Sequence, residues 1–600
     1  MTSTSATAST KKDGSVHLGE YLFSRIKQLG IDNILGVPGD FNLHLLDYIY
    51  RVPELNWVGC CNELNAAYAA DGYGRVKHLP GVLVTTYGVG ELSALNGVSG
   101  AFAEQAPLLH IVGTTGRPIQ EESWLVHHVL PKENSLQQPD HLVYQGMSEK
   151  VRCCSAFLTD KKTAAEEIDR VLTTICQKSL PGYLFIPVDM TWQTLDASRL
   201  DSKLDISVKN KDEKLENEIV DSILKEIYAS KNATVFADVL TDRHRATDLV
   251  RELVKKTNFP NYTSPLGKGI LHENEDRFVG VYNGQLSLEG VAKSIEASDC
   301  VLFTGPLLSD SNTGGFSHNL KDENTIYLSP DYVKVKGKLY EGVHFFPVLK
   351  KIVEQLDDSK ISAESKTAAM PTISPPPVIE SPLPISQTFL VDSMSKMMRP
   401  DDLLIVETGT FQFACSDVKF NTNNSLLTQI FYSCIGFTLP ATLGAALAKR
   451  EDAAAKNDKG RVILIEGDGS AQMTIQELGT MVRQGLNPII FLLNNDGYSI
   501  ERAIHGPEQS YNDICPKWKW TKLLEAFGGT EGVDSFSTVV KTREELEALI
   551  ADEKFMNSNK AQLVEVIMDV NDFPWRLNEQ IKLMGGKNMK VFAEYQKKNA

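Results

Sequence analysis

Val462-Ile463-Leu464-Ile465-Glu466-Gly467-Asp468-Gly469-Ser470 opens a segment that closes, 27 residues after Asp468, on Asn494-Asn495-Asp496-Gly497. The apolar run Val462 to Ile465 reads as a strand. Met473, Ile475, Leu478, Met481 and Val482 follow at helical spacing, and Ile489 to Leu493 form a second apolar run. Strand, loop, helix, strand, loop brings two loops together at the carboxyl ends of neighbouring parallel strands, where open α/β sheets hold their ligands. There Asp468 offers a carboxylate, Asn495 an amide oxygen, and Gly497 a backbone carbonyl that a residue without Cβ can turn inward. A small hard cation takes about six oxygens and commonly draws the remainder from phosphates and water. The amides of Gly469 and Ser470, near a helix start, suit such phosphates.

Outward from this segment, the same alternation recurs in three blocks. The first, 16–195, holds strand candidates at Asn33 to Gly36, Trp57 to Cys60, Gly81 to Thr86, Leu108 to Val112 and Gly182 to Pro187. A charged stretch, Asp196 to Glu216, leads into the second block, 205–356, with strands expected at Thr234 to Ala237, Cys300 to Thr304 and Thr325 to Leu328. Pro371, Pro375, Pro376, Pro377, Pro382 and Pro384 mark 357–387 as an extended linker. The third block, 388–574, adds strands at Leu403 to Val406 and Gln562 to Ile567; 575–600 reads as a terminal helix and 1–15 as a disordered tail. Such alternation predicts an α/β protein of three doubly wound domains with parallel sheets.

Six hundred residues exceed one core. No apolar run approaches the roughly 20 residues that span a bilayer. The net charge of -16 argues against a nucleic-acid surface, which needs clustered Lys and Arg. Nine cysteines, including the adjacent pairs Cys60-Cys61 and Cys153-Cys154, show no CxxC spacing, so buried thiols in a reducing cytoplasm are expected.

Glu63, in Asn62-Glu63-Leu64-Asn65, follows a strand at a helix start, where the macrodipole alone favours a carboxylate. Asp40, in Gly36-Val37-Pro38-Gly39-Asp40-Phe41-Asn42, suits a turn, and His127-His128 a surface pair. Joined by Gly88-Val89-Gly90-Glu91-Leu92-Ser93 and the Gly-Asp-Gly and Asn-Asn loops, these motifs resemble the yeast-like pyruvate decarboxylases, a thiamine diphosphate enzyme family, in order from Val16 to about Pro574.

The resemblance implies pyrimidine-binding, central and diphosphate-binding domains, the cofactors thiamine diphosphate and Mg²⁺, and non-oxidative decarboxylation of a 2-oxo acid, pyruvate first. It makes Glu63 the carboxyl that hydrogen-bonds the cofactor's pyrimidine, and Asp40, His127, His128 and Glu501 the acid/base groups. It places Asp468, Asn495 and Gly497 on the metal. Around the cofactor it sets Thr410, Ser433, Cys434, Ile435, Gly469, Ser470, Asn495, Asp496, Gly497, Tyr498, Ser499 and Ile500, with Ile435 the bulky side chain beneath the folded cofactor. Ser311, Gln412, Ile500 and Ile504 would line the substrate pocket. The site is expected between two chains of a homodimer, assembled into a homotetramer. Two departures matter. Ser311 and Gln412 replace the Phe and Ala usual in the yeast enzymes, which opens the pocket to branched-chain or aromatic 2-oxo acids. Leu240 and Gln105 stand where substrate-activated relatives carry Cys and His, so hyperbolic kinetics are expected. A carboligase of acetolactate synthase type and a non-catalytic cofactor-binding regulator are the alternatives.

Overall fold

A computed structural model describes residues 14–134, 137–456, 458–514 and 517–585. Of the tail expected over 1–15, residues 1–13 lie outside these, and Ser15 already begins a strand, Ser15–His17, antiparallel to Thr194–Asp196. The terminal helix is formed through residue 585, and 586–600 lie outside the described residues. The chain divides into two compact units.

The first unit comprises the residues up to Ser207 together with Leu439–Asp458 and Thr474–Leu486. Its main sheet has six parallel strands in the order Asn56–Gly59, Asn33–Gly36, Gly81–Thr86, Leu108–Thr114, Gly182–Pro187, Cys154–Phe157. Every residue of Gly81–Thr86 and Leu108–Thr114 is buried, as a parallel sheet covered on both faces requires. The winding direction reverses between Asn33–Gly36 and Gly81–Thr86, which opens a crevice at their carboxyl ends. The helix Glu63–Lys77 is capped by Asn62, whose side chain accepts from Asn65 N at 2.8 Å. Its small face, Ala69 and Gly72, lies directly on Ala441 and Gly444; a Cβ on Gly444 would come within 1.8 Å of the Ala69 carbonyl oxygen.

The second unit holds two sheets. One runs Phe278–Val281, Asn261–Thr263, Ala233–Ala237, Cys300–Thr304, Thr325–Leu328 in parallel, then continues antiparallel through Tyr332–Val335 and Lys338–Glu341. The expected all-parallel sheet is therefore mixed here. Lys336 and Gly337 both have positive φ, 43° and 90°, the combination a two-residue hairpin needs. The other sheet is wholly parallel, ordered Ser425–Thr428, Leu403–Val406, Val462–Gly467, Ile489–Asn494, Ala561–Ile567, Ser535–Val540. Its reversal falls between Leu403–Val406 and Val462–Gly467, the strands that lead into Glu407 and Asp468.

The eight described cysteines are free thiols. Cys176, Cys300 and Cys415 are buried as expected, whereas Cys61 is exposed because it belongs to the loop between Asn56–Gly59 and Glu63–Lys77.

Candidate functional site

The cleft in the second unit is built at that reversal. Glu407 to Phe411 line one side, Ile465 to Ser470 the other, with Asn495, Gly497 to Ile500 and Ile435 completing it. Asp468 is fully buried, and its carboxylate accepts Gly469 N at 2.7 Å and Gly497 N at 3.0 Å. The side-chain oxygen of Asn495 faces Asp468 Oδ1 and the Gly497 carbonyl, at 3.1 and 3.0 Å; rotating the amide by half a turn would instead present its NH₂ to them. With its oxygen inward, Asn495 joins the Asp468 carboxylate and the Gly497 carbonyl as the donor types of a hard divalent cation; with its NH₂ inward, the same three groups hydrogen-bond to one another. Gly497 has φ 116°, and a Cβ there would meet the Asn512 carbonyl oxygen at 2.1 Å, so only glycine allows this turn.

Burial raises the Asp468 carboxyl from its ordinary 3.8 to about 7, against the lowering effect of the two amides. Such a raised acid stabilises the metal-free fold at low pH, and that contribution is lost as pH rises toward 7. A cation must therefore displace a proton below about pH 7. Mg²⁺ affinity is expected to rise about tenfold per pH unit up to that point and then level off, measured by titration calorimetry in buffers of differing protonation heat.

Glu407 and Glu466, the last side chains before the two loops, are buried together with no Lys or Arg paired to either among the described residues. Glu407 accepts Gly436 N at 3.0 Å and Thr438 N at 2.8 Å, and the Thr438 hydroxyl lies against both Glu407 Oε2 and Glu466 Oε2. Desolvation raises Glu407 to about 7 and Glu466 well above its ordinary value, the charge of Glu407 adding to the latter. Thr410 is buried in the cleft wall and accepts from Gln387 Nε2 at 2.9 Å. Tyr498 accepts from Gln472 Nε2 at 2.8 Å.

Other expected residues stand apart from this cleft. Ser433, at φ 59°, and Cys434, whose amide donates to Gln429 Oε1 at 2.7 Å, precede Ile435 without lining it. Asp496 is exposed and paired with Lys517 at 3.0 Å. Ile500 lines the cleft, whereas Ser311, Gln412 and Ile504 do not. Gln412 is buried in Thr410–Ala414, while Ile504 and Glu501 are exposed on Ser499–His505.

In the first unit, Asp40, His127 and His128 gather at the sheet's own crevice. His127 Nε2 lies 2.7 Å from Asp40 Oδ2, and one ligand-type atom from each of the three side chains falls within 4.8 Å of the others. Asn42 fixes the Asp40 turn by accepting Gly39 N at 2.9 Å and donating to the Val37 carbonyl at 3.2 Å. Tyr87 and Tyr144 donate to the His127 and His128 carbonyls at 2.5 and 2.6 Å. Glu63 begins its helix half-buried, with Oε1 above Gly90, where a Cβ would come within 3.1 Å. Glu477 is fully buried and accepts Cys61 N at 2.8 Å and Asn65 Nδ2 at 3.2 Å, bracketing Glu63.

The sequence reading assigns no role to Glu407, Thr438, Glu466 or Glu477. The available signal was an acidic residue ending an apolar run, in Leu403 to Glu407 and again in Val462 to Glu466.

Three family descriptions match the chain: thiamine pyrophosphate enzyme N-terminal TPP binding domain over residues 16–142, central domain over 220–356, and C-terminal TPP binding domain over 407–566. Thiamine pyrophosphate is thiamine diphosphate under its other name. The chain is 40% identical over 578 residues to a pyruvate decarboxylase of Kluyveromyces lactis, covering 96% of this chain and 99% of that protein. It is 40% identical to pyruvate decarboxylase isozyme 3 of Saccharomyces cerevisiae over 576 residues, with the same coverage. The pyruvate decarboxylase of Hanseniaspora uvarum is likewise 40% identical over 578 residues, at 96% and 99%.

Proposed function

The chain belongs to the pyruvate decarboxylase family of thiamine diphosphate enzymes, and from that premise we propose that it converts pyruvate to acetaldehyde and carbon dioxide. The observation that carries the proposal is the convergence of the Asp468 carboxylate, the Asn495 side-chain amide and the Gly497 carbonyl beside Gly469 and Ser470, at the reversal of a parallel sheet. Those three would hold Mg²⁺, and the Ser470 amide with Thr410 would take the diphosphate, beside Gly469, whose own amide is held by Asp468. When bound, thiamine diphosphate supplies the carbon that adds to the ketone and accepts the electron pair released with carbon dioxide.

The chain's own residues do the rest. Ile435, in the cleft wall with Gly497 to Ile500, would support the cofactor, and Ser433, Cys434 and Asp496 are the neighbours that set the backbone of these two segments. Glu63 would hydrogen-bond the pyrimidine ring. Pyruvate leaving as acetaldehyde and carbon dioxide takes up one proton, so a donor must stand at the reacting carbon. Asp40, His127 and His128, already within reach of one another, fill that role with Glu501. Ile500, in the cleft wall, would border the substrate, and the family resemblance adds Ser311, Gln412 and Ile504, which stand outside that wall.

We place Glu63 of one chain at the cofactor held by Asp468 of a second, in a homodimer that pairs into a homotetramer. Exposed Val89, Leu92, Trp124 and Leu125, the first two flanking Gly90 on the helix beneath Glu63, support a partner surface. Among the described residues no helix is long and apolar enough to cross a membrane. Free thiols support the cytoplasmic reading.

Purified protein given thiamine diphosphate and Mg²⁺ is expected to release aldehyde from pyruvate with hyperbolic kinetics. Comparing kcat/KM for pyruvate, 2-oxoisocaproate and phenylpyruvate tests the substrate, and carboligation products without aldehyde would overturn the reaction.

A further inference from the structure

Ile435 lies in a stretch of backbone with no regular structure to hold it. Ser433 and Gly436 both have positive φ, 59° and 86°, so the chain reverses its curl on either side of the residue. Before it, Cys434 N is tied to Gln429 Oε1 at 2.7 Å. After it, the amides of Gly436 and Thr438 both donate to the single carboxylate of Glu407, at 3.0 and 2.8 Å, and the Thr438 hydroxyl joins them. Thr438 then starts the helix Thr438–Lys456. Glu407 is itself fixed, as the first residue beyond the central strand Leu403–Val406 and with Glu407 N bonded to the Ile465 carbonyl at 3.0 Å.

We propose that Glu407 is a positioning residue that sets the height of Ile435 in the cleft, and so the fold of the bound cofactor over it; this rests on the role given to Ile435 above. The Gly436 amide is taken by Oε1 and the Thr438 amide by Oε2, so both oxygens must accept, which a carboxyl group can do and a side-chain amide, with one oxygen, cannot. A glutamine of equal size would turn an NH₂ toward one of those donors and release one end of the 433–438 turn.

The test uses Glu407→Gln in the full chain. In the cofactor-free protein, amide hydrogen exchange over 434–438 is expected to quicken about tenfold, with exchange over 462–467 unchanged. In the holoenzyme kcat is expected to fall about tenfold with KM for pyruvate altered less than about twofold. In an Ile435→Ala background, adding Glu407→Gln is expected to change kcat by less than about twofold, because the group it positions is gone. Unchanged exchange over 434–438, or a full tenfold loss in the Ile435→Ala background, would overturn the inference. If Glu407→Gln does not fold, Thr438→Val, which deletes the hydroxyl donor alone, is expected to shift exchange in the same direction, and Thr438→Ser to restore it; no shift would overturn it equally. Wild-type protein that takes up no cofactor would sink the cofactor reading, while the exchange result would still decide the anchor.

Discussion

Glu63→Gln is expected to lower kcat by about 10³-fold and to slow, by a similar factor, exchange of the proton on the reactive carbon of bound cofactor, followed by quenched NMR in deuterated buffer. The surroundings of Glu63 explain why the loss should be chemical rather than structural. The helix it begins is capped by Asn62, and the loop before it is held by Glu477, so neither depends on the Glu63 carboxylate. Gly90 leaves that carboxylate the space it occupies, and glutamine fills the same volume. The variant should keep its circular dichroism spectrum and its cofactor uptake while losing turnover. Exchange at the wild-type rate would remove Glu63 from the proposed activation of the cofactor.

Asp468→Asn is expected to weaken uptake of Mg²⁺ and thiamine diphosphate about 100-fold or more by titration calorimetry, abolishing activity at ordinary cofactor concentrations. Asp468 brings the only carboxylate among the three converging groups, and the asparagine would replace its negative charge with a neutral amide. In the metal-free fold the asparagine gives up one of the two amide bonds that Asp468 accepts, but it also removes the cost of burying a charge. Above about pH 7 the buried carboxylate is ionised against its desolvation cost, so the melting deficit of the neutral variant relative to metal-free wild type should be smaller at about pH 8 than at about pH 5. Chelation of wild-type protein should reproduce the loss and added Mg²⁺ reverse it, whereas the variant should stay inactive. A variant that binds both ligands normally would take the metal away from this cleft.

The strands legible in the chain are mainly the interior ones. Leu108 to Val112, Cys300 to Thr304, Val462 to Ile465 and Ile489 to Leu493 are apolar apart from His110 and Thr304, because both faces of a parallel sheet are covered. Cys154–Phe157, Ser425–Thr428, Ser535–Val540 and Lys338–Glu341 were not legible. Each is an edge strand with water on part of its surface, and its composition blends into the flanking loops. The hairpin Tyr332 to Glu341 also makes the central sheet mixed, a matter of one turn at Lys336-Gly337 that periodicity does not register.

By itself the sequence determined the alternation of strand and helix, the paired loops around Asp468 and Asn495, and the acid/base motifs, since each is written in a short run of neighbouring residues. Only the tertiary structure decided that Glu407, Thr438 and Glu466 meet, that Glu477 brackets Glu63, and that Asp40 reaches His127. The partners in these contacts come from distant parts of the chain, and what joins them is the order in which parallel strands lie side by side. Strand order follows from how whole faces are buried, a property of the assembled sheet that no local stretch of residues carries.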